Sequence, residues 1–114
     1  MTARRVAAIL GFLGVALGAF GAHALKDRLT PEGVDWWRTA VLYHLVHAAS
    51  TLATGRDGGR ASAATWCFAG GVLLFSGSLY AMALTDARWL GAVTPLGGLA
   101  LMSGWVLLLL HNKN

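Results

Sequence analysis

The chain has 114 residues, 56% of them hydrophobic and only 12% charged, with a net charge of +4. A soluble domain of that length has too little interior to hide so much apolar surface, so the surplus must face lipid. The basic residues are dispersed among short polar stretches, a pattern that argues against nucleic acid and for topological charge that also meets anionic headgroups, while the single Cys67 excludes an internal disulfide and a cysteine metal site.

Four apolar segments follow, at about 5–24, 36–54, 61–84 and 89–110. The short connections between them force neighbours to run antiparallel. The fold class predicted is all-α membrane, an antiparallel four-helix transmembrane bundle forming one domain over residues 1–114. In the first segment Gly11, Gly14, Gly18 and Gly21 are spaced three, four and three apart, so they line one helical stripe that another backbone can approach. Arg4 and Arg5, the run Val6 to Phe20, and Ala22-His23-Ala24 also fit a signal peptide. The apolar run is long for one, and the segment is read as an uncleaved helix.

Residues 25–35 form a polar connection, with Pro31 at a turn or helix-start position and room for a short amphipathic turn in the interface. The second segment opens on Trp36-Trp37-Arg38, an interfacial anchor whose cation can snorkel. It is the least hydrophobic of the four, containing Tyr43, His44, His47, Ser50 and Thr51. A tight turn, Gly55 to Arg60, leads to the third segment, where Gly70 and Gly77 are seven apart and share a face. Thr85 to Arg88 form another turn, and Trp89 marks re-entry. In the fourth segment Gly91 pairs with Gly98 and Gly97 with Gly104 at the same spacing. Either Thr94 caps a helix that has Pro95 as its first residue, or Pro95 kinks a longer helix.

Arg4, Arg5, Arg56, Arg60 and Lys113 share one side of this topology; Lys26, Arg28, Arg38 and Arg88 share the other with four of the five acids. The basic start of the first helix then places both termini in the cytoplasm. Helical rise sets the depths. His44 lies about 12 Å below the edge marked by Trp36, and His47 one turn deeper. Ser76, Ser78, Tyr80 and Thr94 reach the same outer half, with His23 above them. Polar groups in a membrane helix turn to the bundle interior or to water. His23, Tyr43, His44, His47, Ser76, Ser78, Tyr80 and Thr94 are therefore the candidate ligand layer, and no catalytic set can be assembled from them.

Four blocks, Gly18-Ala-Phe-Gly-Ala-His-Ala-Leu25, Tyr43-His-Leu-Val-His47, Leu74-Phe-Ser-Gly-Ser-Leu-Tyr80 and Val93-Thr-Pro-Leu-Gly-Gly98 with Gly104-Trp105, closely resemble those of a family of small inner-membrane proteins of unknown function. That family includes the YgdD-like proteins and transmembrane protein 256. The resemblance spans nearly the whole chain and implies a four-helix protein of the inner membrane. It places the motif histidines at His23 and His47, with another polar residue such as Gln common at the position of His44, and it carries no activity.

Each feature also has a structural reading. Gly11, Gly14, Gly18, Gly21, Gly70, Gly77, Gly97, Gly98 and Gly104 read as helix-packing positions. His23 caps a helix end or meets headgroups. His44 and His47, on one face at i and i+3, present two imidazoles to a metal or haem, or are neutral and hydrogen-bonded to Tyr80 or Ser78. No metal or cofactor is assigned. The function expected is an accessory subunit docked on a larger membrane complex or on a second copy in the bilayer. The alternative is a module that binds or transports a quinone or lipid through the polar layer.

Overall fold

The computed structural model describes residues 1–111; Lys113, counted in the charge balance, lies outside them. Four helices run in sequence: α1 (Ala3–Phe20), α2 (Pro31–Thr51), α3 (Ala63–Thr85) and α4 (Thr94–Leu110). A π-turn, Gly21–Leu25, extends α1, and 3-10 turns at Leu52–Thr54 and Arg88–Ala92 follow α2 and precede α4. The stretches Ala3–Leu25, Ala63–Thr85 and Arg88–Leu110, of 23 residues each, are long and apolar enough to cross a membrane. At helical rise each is roughly 34 Å long, against about 30 Å of hydrocarbon.

Local chemistry explains where the helices start. Thr2 accepts from the Arg5 N–H at the head of α1. Thr30 accepts from the Gly33 N–H, with Pro31 pre-set in the first turn, so α2 begins five residues before the expected Trp36. Ser62 and Thr65 form a reciprocal capping box that starts α3. Asp86 ends it in the left-handed conformation, at φ 58°. Neither expectation for Thr94 holds. Val93 precedes α4, Thr94 is its first residue and Pro95 its second, and the break is made by the 3-10 turn.

Helix periodicity determines the packing. The inward positions of α2 include Gly33, Trp37, Ala40, His44, His47 and Thr51, alternating four and three apart, with Ala48 buried beside them. Those of α4 are Gly97, Leu101 and Gly104. Such seams make left-handed antiparallel contacts. In α3 two seams run side by side. Thr65, Ala69, Val72, Ser76, Leu79 and Ala83 form one; Ala64, Phe68, Gly71, Ser78 and Met82 form the other, and all are buried. α3 therefore packs on both sides, against α2 and α4, while α1 lies mainly against α2. The result is flattened, 49 × 26 × 18 Å, with α2 and α3 as the central pair.

This arrangement accounts for α2, which is not apolar enough to span by composition. Its polar seam faces neighbouring helices while Leu42 and Val46 face outward. The N-terminus is tied to the α2–α3 turn, with the Ala3 N–H donating to Gly59 and the Ala61 N–H to Met1, so those two ends lie on one side.

Candidate functional site

The polar layer resolves into separate pairs at more than one level. His44 and His47 are both buried. The His44 Nε2 lies 2.8 Å from the Leu10 carbonyl, which can only accept, so that nitrogen donates. Its Nδ1 then accepts from the Tyr80 hydroxyl at 2.8 Å in the neutral ring. His47 has the opposite tautomer. The Trp105 indole N–H donates to its Nε2 at 2.9 Å, and its Nδ1 donates to the Tyr43 carbonyl at 2.8 Å. One histidine thus joins α1, α2 and α3, and the other joins α2 to α4.

The bond from His44 to α1 depends on a glycine. A helical side chain lies over the turn before its own Cα and so covers the carbonyl about four residues back. Gly14 leaves the Leu10 carbonyl bare; a Cβ there would come within 3.1 Å of the His44 ring. The arrangement recurs one heptad away. The Trp37 indole donates to the Leu17 carbonyl at 2.9 Å, and a Cβ on Gly21 would occupy the space of that indole. Leu10 and Leu17 are seven apart on α1, and Trp37 and His44 seven apart on α2, so the two helices lock in one register.

The remaining expected residues divide. Ser76 donates to the Ala40 carbonyl at 2.7 Å, bridging α3 to α2 without reaching a histidine. Ser78 and Thr94 share a 2.6 Å hydrogen bond between α3 and α4. Tyr43 stacks on His47 and packs on Phe75, with about two-fifths of it exposed at the edge of the bundle (41%). His23 is not brought to the layer. It is exposed in the π-turn, whose inward positions are taken by Gly21 and Leu25.

The glycines divide too. A Cβ on Gly97 would collide with the backbone of Phe75, and one on Gly104 would lie 2.5 Å from the Phe68 ring. Gly18 faces only the Val41 side chain, at 3.2 Å, and Gly98 only the Phe75 ring, at 3.8 Å. Gly11, Gly70 and Gly77 are corrected: among the described residues nothing lies within 4 Å of a Cβ at any of them, so a side chain there would meet no neighbouring helix. Gly71, not singled out from the sequence, is where Leu101 seats.

Sequence reasoning also missed Leu10, Trp37 and Trp105 as partners. The matching seven-residue intervals of Gly14 with Gly21 and of Trp37 with His44 were the available signal. It missed a second polar lock as well, where Thr54 bonds Thr65 at 2.6 Å and Ser62 donates to the Thr54 carbonyl at 2.6 Å.

Antiparallel helices able to cross a bilayer, stitched by buried histidine, tyrosine, serine and tryptophan bonds, define a small multi-pass membrane protein. Residues 17–98 match the family described as "Protein of unknown function (DUF423)". The chain belongs to that family. It is 41% identical over 107 residues to the UPF0382 membrane protein YwdK of Bacillus subtilis, covering 89% of this chain and 87% of that one. It is 39% identical over 109 residues to the UPF0382 inner membrane protein YgdD of Escherichia coli, covering 90% and 82%. A UPF0382 membrane protein of Haemophilus influenzae is 39% identical over 105 residues, covering 87% and 83%. No solved structure matches the chain.

Proposed function

We propose that the chain is a structural or accessory subunit of a larger membrane complex, with both termini cytoplasmic in an inner membrane. One observation carries this reading: among the described residues, no buried side-chain nitrogen or oxygen lacks a hydrogen-bond partner. The polar layer is already filled by protein groups, so it acts as internal fastening. A quinone, lipid headgroup, metal or haem taken up there would have to displace Tyr80 from His44 or Trp105 from His47. Docking surfaces then lie outside, where Gly70 and Gly77 leave room on the outer face of α3.

Extraction of the tagged chain in mild detergent tests the reading. The expected result is migration in an assembly well above the 12.0 kDa of one chain, with a partner in fixed ratio. Gly77→Leu should disperse it without lowering the melting temperature of the purified chain. A monomer that carries a small molecule released by His47→Gln would favour the binding module instead. An untagged copy recovered with the tagged one would identify the partner as a second copy.

A further inference from the structure

Between α1 and α2 lies a groove of about 480 Å³ lined wholly by those helices and the connection between them, with no residue of α3 or α4. Gly18 and Ala22 form one wall, and Val41, Leu42 and Leu45 the other. At its membrane-surface end stand Lys26 and Arg38. Leu45 is seven residues from Arg38, so the apolar part extends roughly 10 Å into the membrane. We propose that this groove is a site for one anionic phospholipid, an acyl chain lying along Gly18 and Ala22 with its phosphate held by Lys26 and Arg38.

Charge and shape identify the occupant. Among the described residues neither cation has an acidic partner; the ion pairs present join Arg88 to Glu32 and to Asp86. Asp27 and Asp35, the nearest acids in sequence, do not line the groove. Arg and Lys are the usual phosphate ligands, and the Arg fork can bind two phosphate oxygens. Below Leu45 a second hollow continues the seam past Gly11 to Arg4, with only apolar residues between. Cations at the ends and hydrocarbon in the middle reproduce the charge profile of a bilayer. The volume falls in the range of small-molecule sites, about 300–1,000 Å³, and the two cations at its mouth suit a phosphate rather than the apolar surface of a partner helix. The inference stands apart from the accessory-subunit reading, since the polar layer takes no part in it.

The test is native mass spectrometry of the full chain released from micelles containing phosphatidylglycerol or phosphatidylcholine. Wild type should retain one phosphatidylglycerol in preference to phosphatidylcholine. Lys26→Gln with Arg38→Gln should lower that preference by roughly 30-fold, about fivefold per cation, and Lys26→Arg with Arg38→Lys should keep it. Arg56→Gln with Arg60→Gln removes the same charge from the opposite turn and should leave the preference intact. Ala22→Phe should block the groove and release either lipid from a chain with an unchanged helical spectrum. Equal retention of the two lipids by wild type, or an equal loss in the Arg56/Arg60 variant, overturns the assignment. So does an Ala22→Phe chain that keeps its lipid but loses a bound protein.

Discussion

At His47 a single ring fastens two helices, and its value can be measured. Replacing it with Ala leaves the Trp105 indole without its acceptor in an environment that offers no water, a loss of about 1–3 kcal/mol. A double-mutant cycle with Trp105→Phe should give a coupling energy of about 0.5–2 kcal/mol; additive losses would mean that the 2.9 Å contact contributes little. Tyr80→Phe should cost about 1 kcal/mol by removing the donor to His44. Glycines of similar sequence context should respond oppositely. Gly97→Ala drives a methyl into the backbone of Phe75, which cannot rotate away, and should destabilise by about 1–3 kcal/mol. Gly70→Ala meets open space and should stabilise the helix by about 0.5–1 kcal/mol. Denaturant titrations in micelles measure both, and equal effects would count against the assigned contacts.

The elements differ in what holds them in the membrane. α1, α3 and α4 can enter by composition, whereas α2 depends on its neighbours to cover Trp37, His44, His47 and Thr51. The α2 segment alone is therefore expected to fail in a translocon insertion assay and to span only within the full chain. Efficient insertion of isolated α2 would show that the polar seam needs no cover. The start of α2 is also tied to the α3–α4 turn, where Arg88 pairs with Glu32 and lies 5.2 Å from the Trp36 ring centre. The Arg88 guanidinium holds the Glu32 carboxyl below its ordinary value of 4.5. A lowered carboxyl pKa contributes stability that is present above the ordinary value and lost as pH falls through the folded one. Because the pair is fully exposed, the effect is small. Wild type should melt slightly above Glu32→Gln at neutral pH, and that small difference should shrink as pH falls below 4.5.

For the whole molecule, four antiparallel helices place the α2–α3 turn opposite the α1–α2 and α3–α4 turns. With Cys67 replaced by Ala, single cysteines at Asp57 and Asp86 should be labelled from opposite faces of sealed vesicles. Asp57 should report the cytoplasmic face if the N-terminal arginines orient the chain. Labelling of both from one face would show that α3 does not cross; labelling of Asp57 from outside would mean an inverted orientation or an α2 that does not span.

Composition determined the helix number and the short connections the antiparallel order; periodicity states which side chains share a side, but not whether that side faces inward. Thr30-Pro31 also carries a helix start, five residues ahead of the interfacial Trp36, which marks the membrane edge rather than the helix end. Tertiary structure alone decided which inward groups meet. Depth counted along each helix brought His44 and Tyr80 to one level, but it lacked the rotation of each helix and the reach of each side chain. Hence Ser76 went to a backbone carbonyl, Trp105 was overlooked and His23 was placed in a layer it does not enter. A periodic glycine stripe likewise cannot show which members face a neighbour; Gly14 and Gly21 do, and Gly11 does not. Every residue carries a carbonyl, so the acceptors at Leu10 and Leu17 have no signature of their own. They become partners only where packing brings a donor across the glycine that leaves them bare.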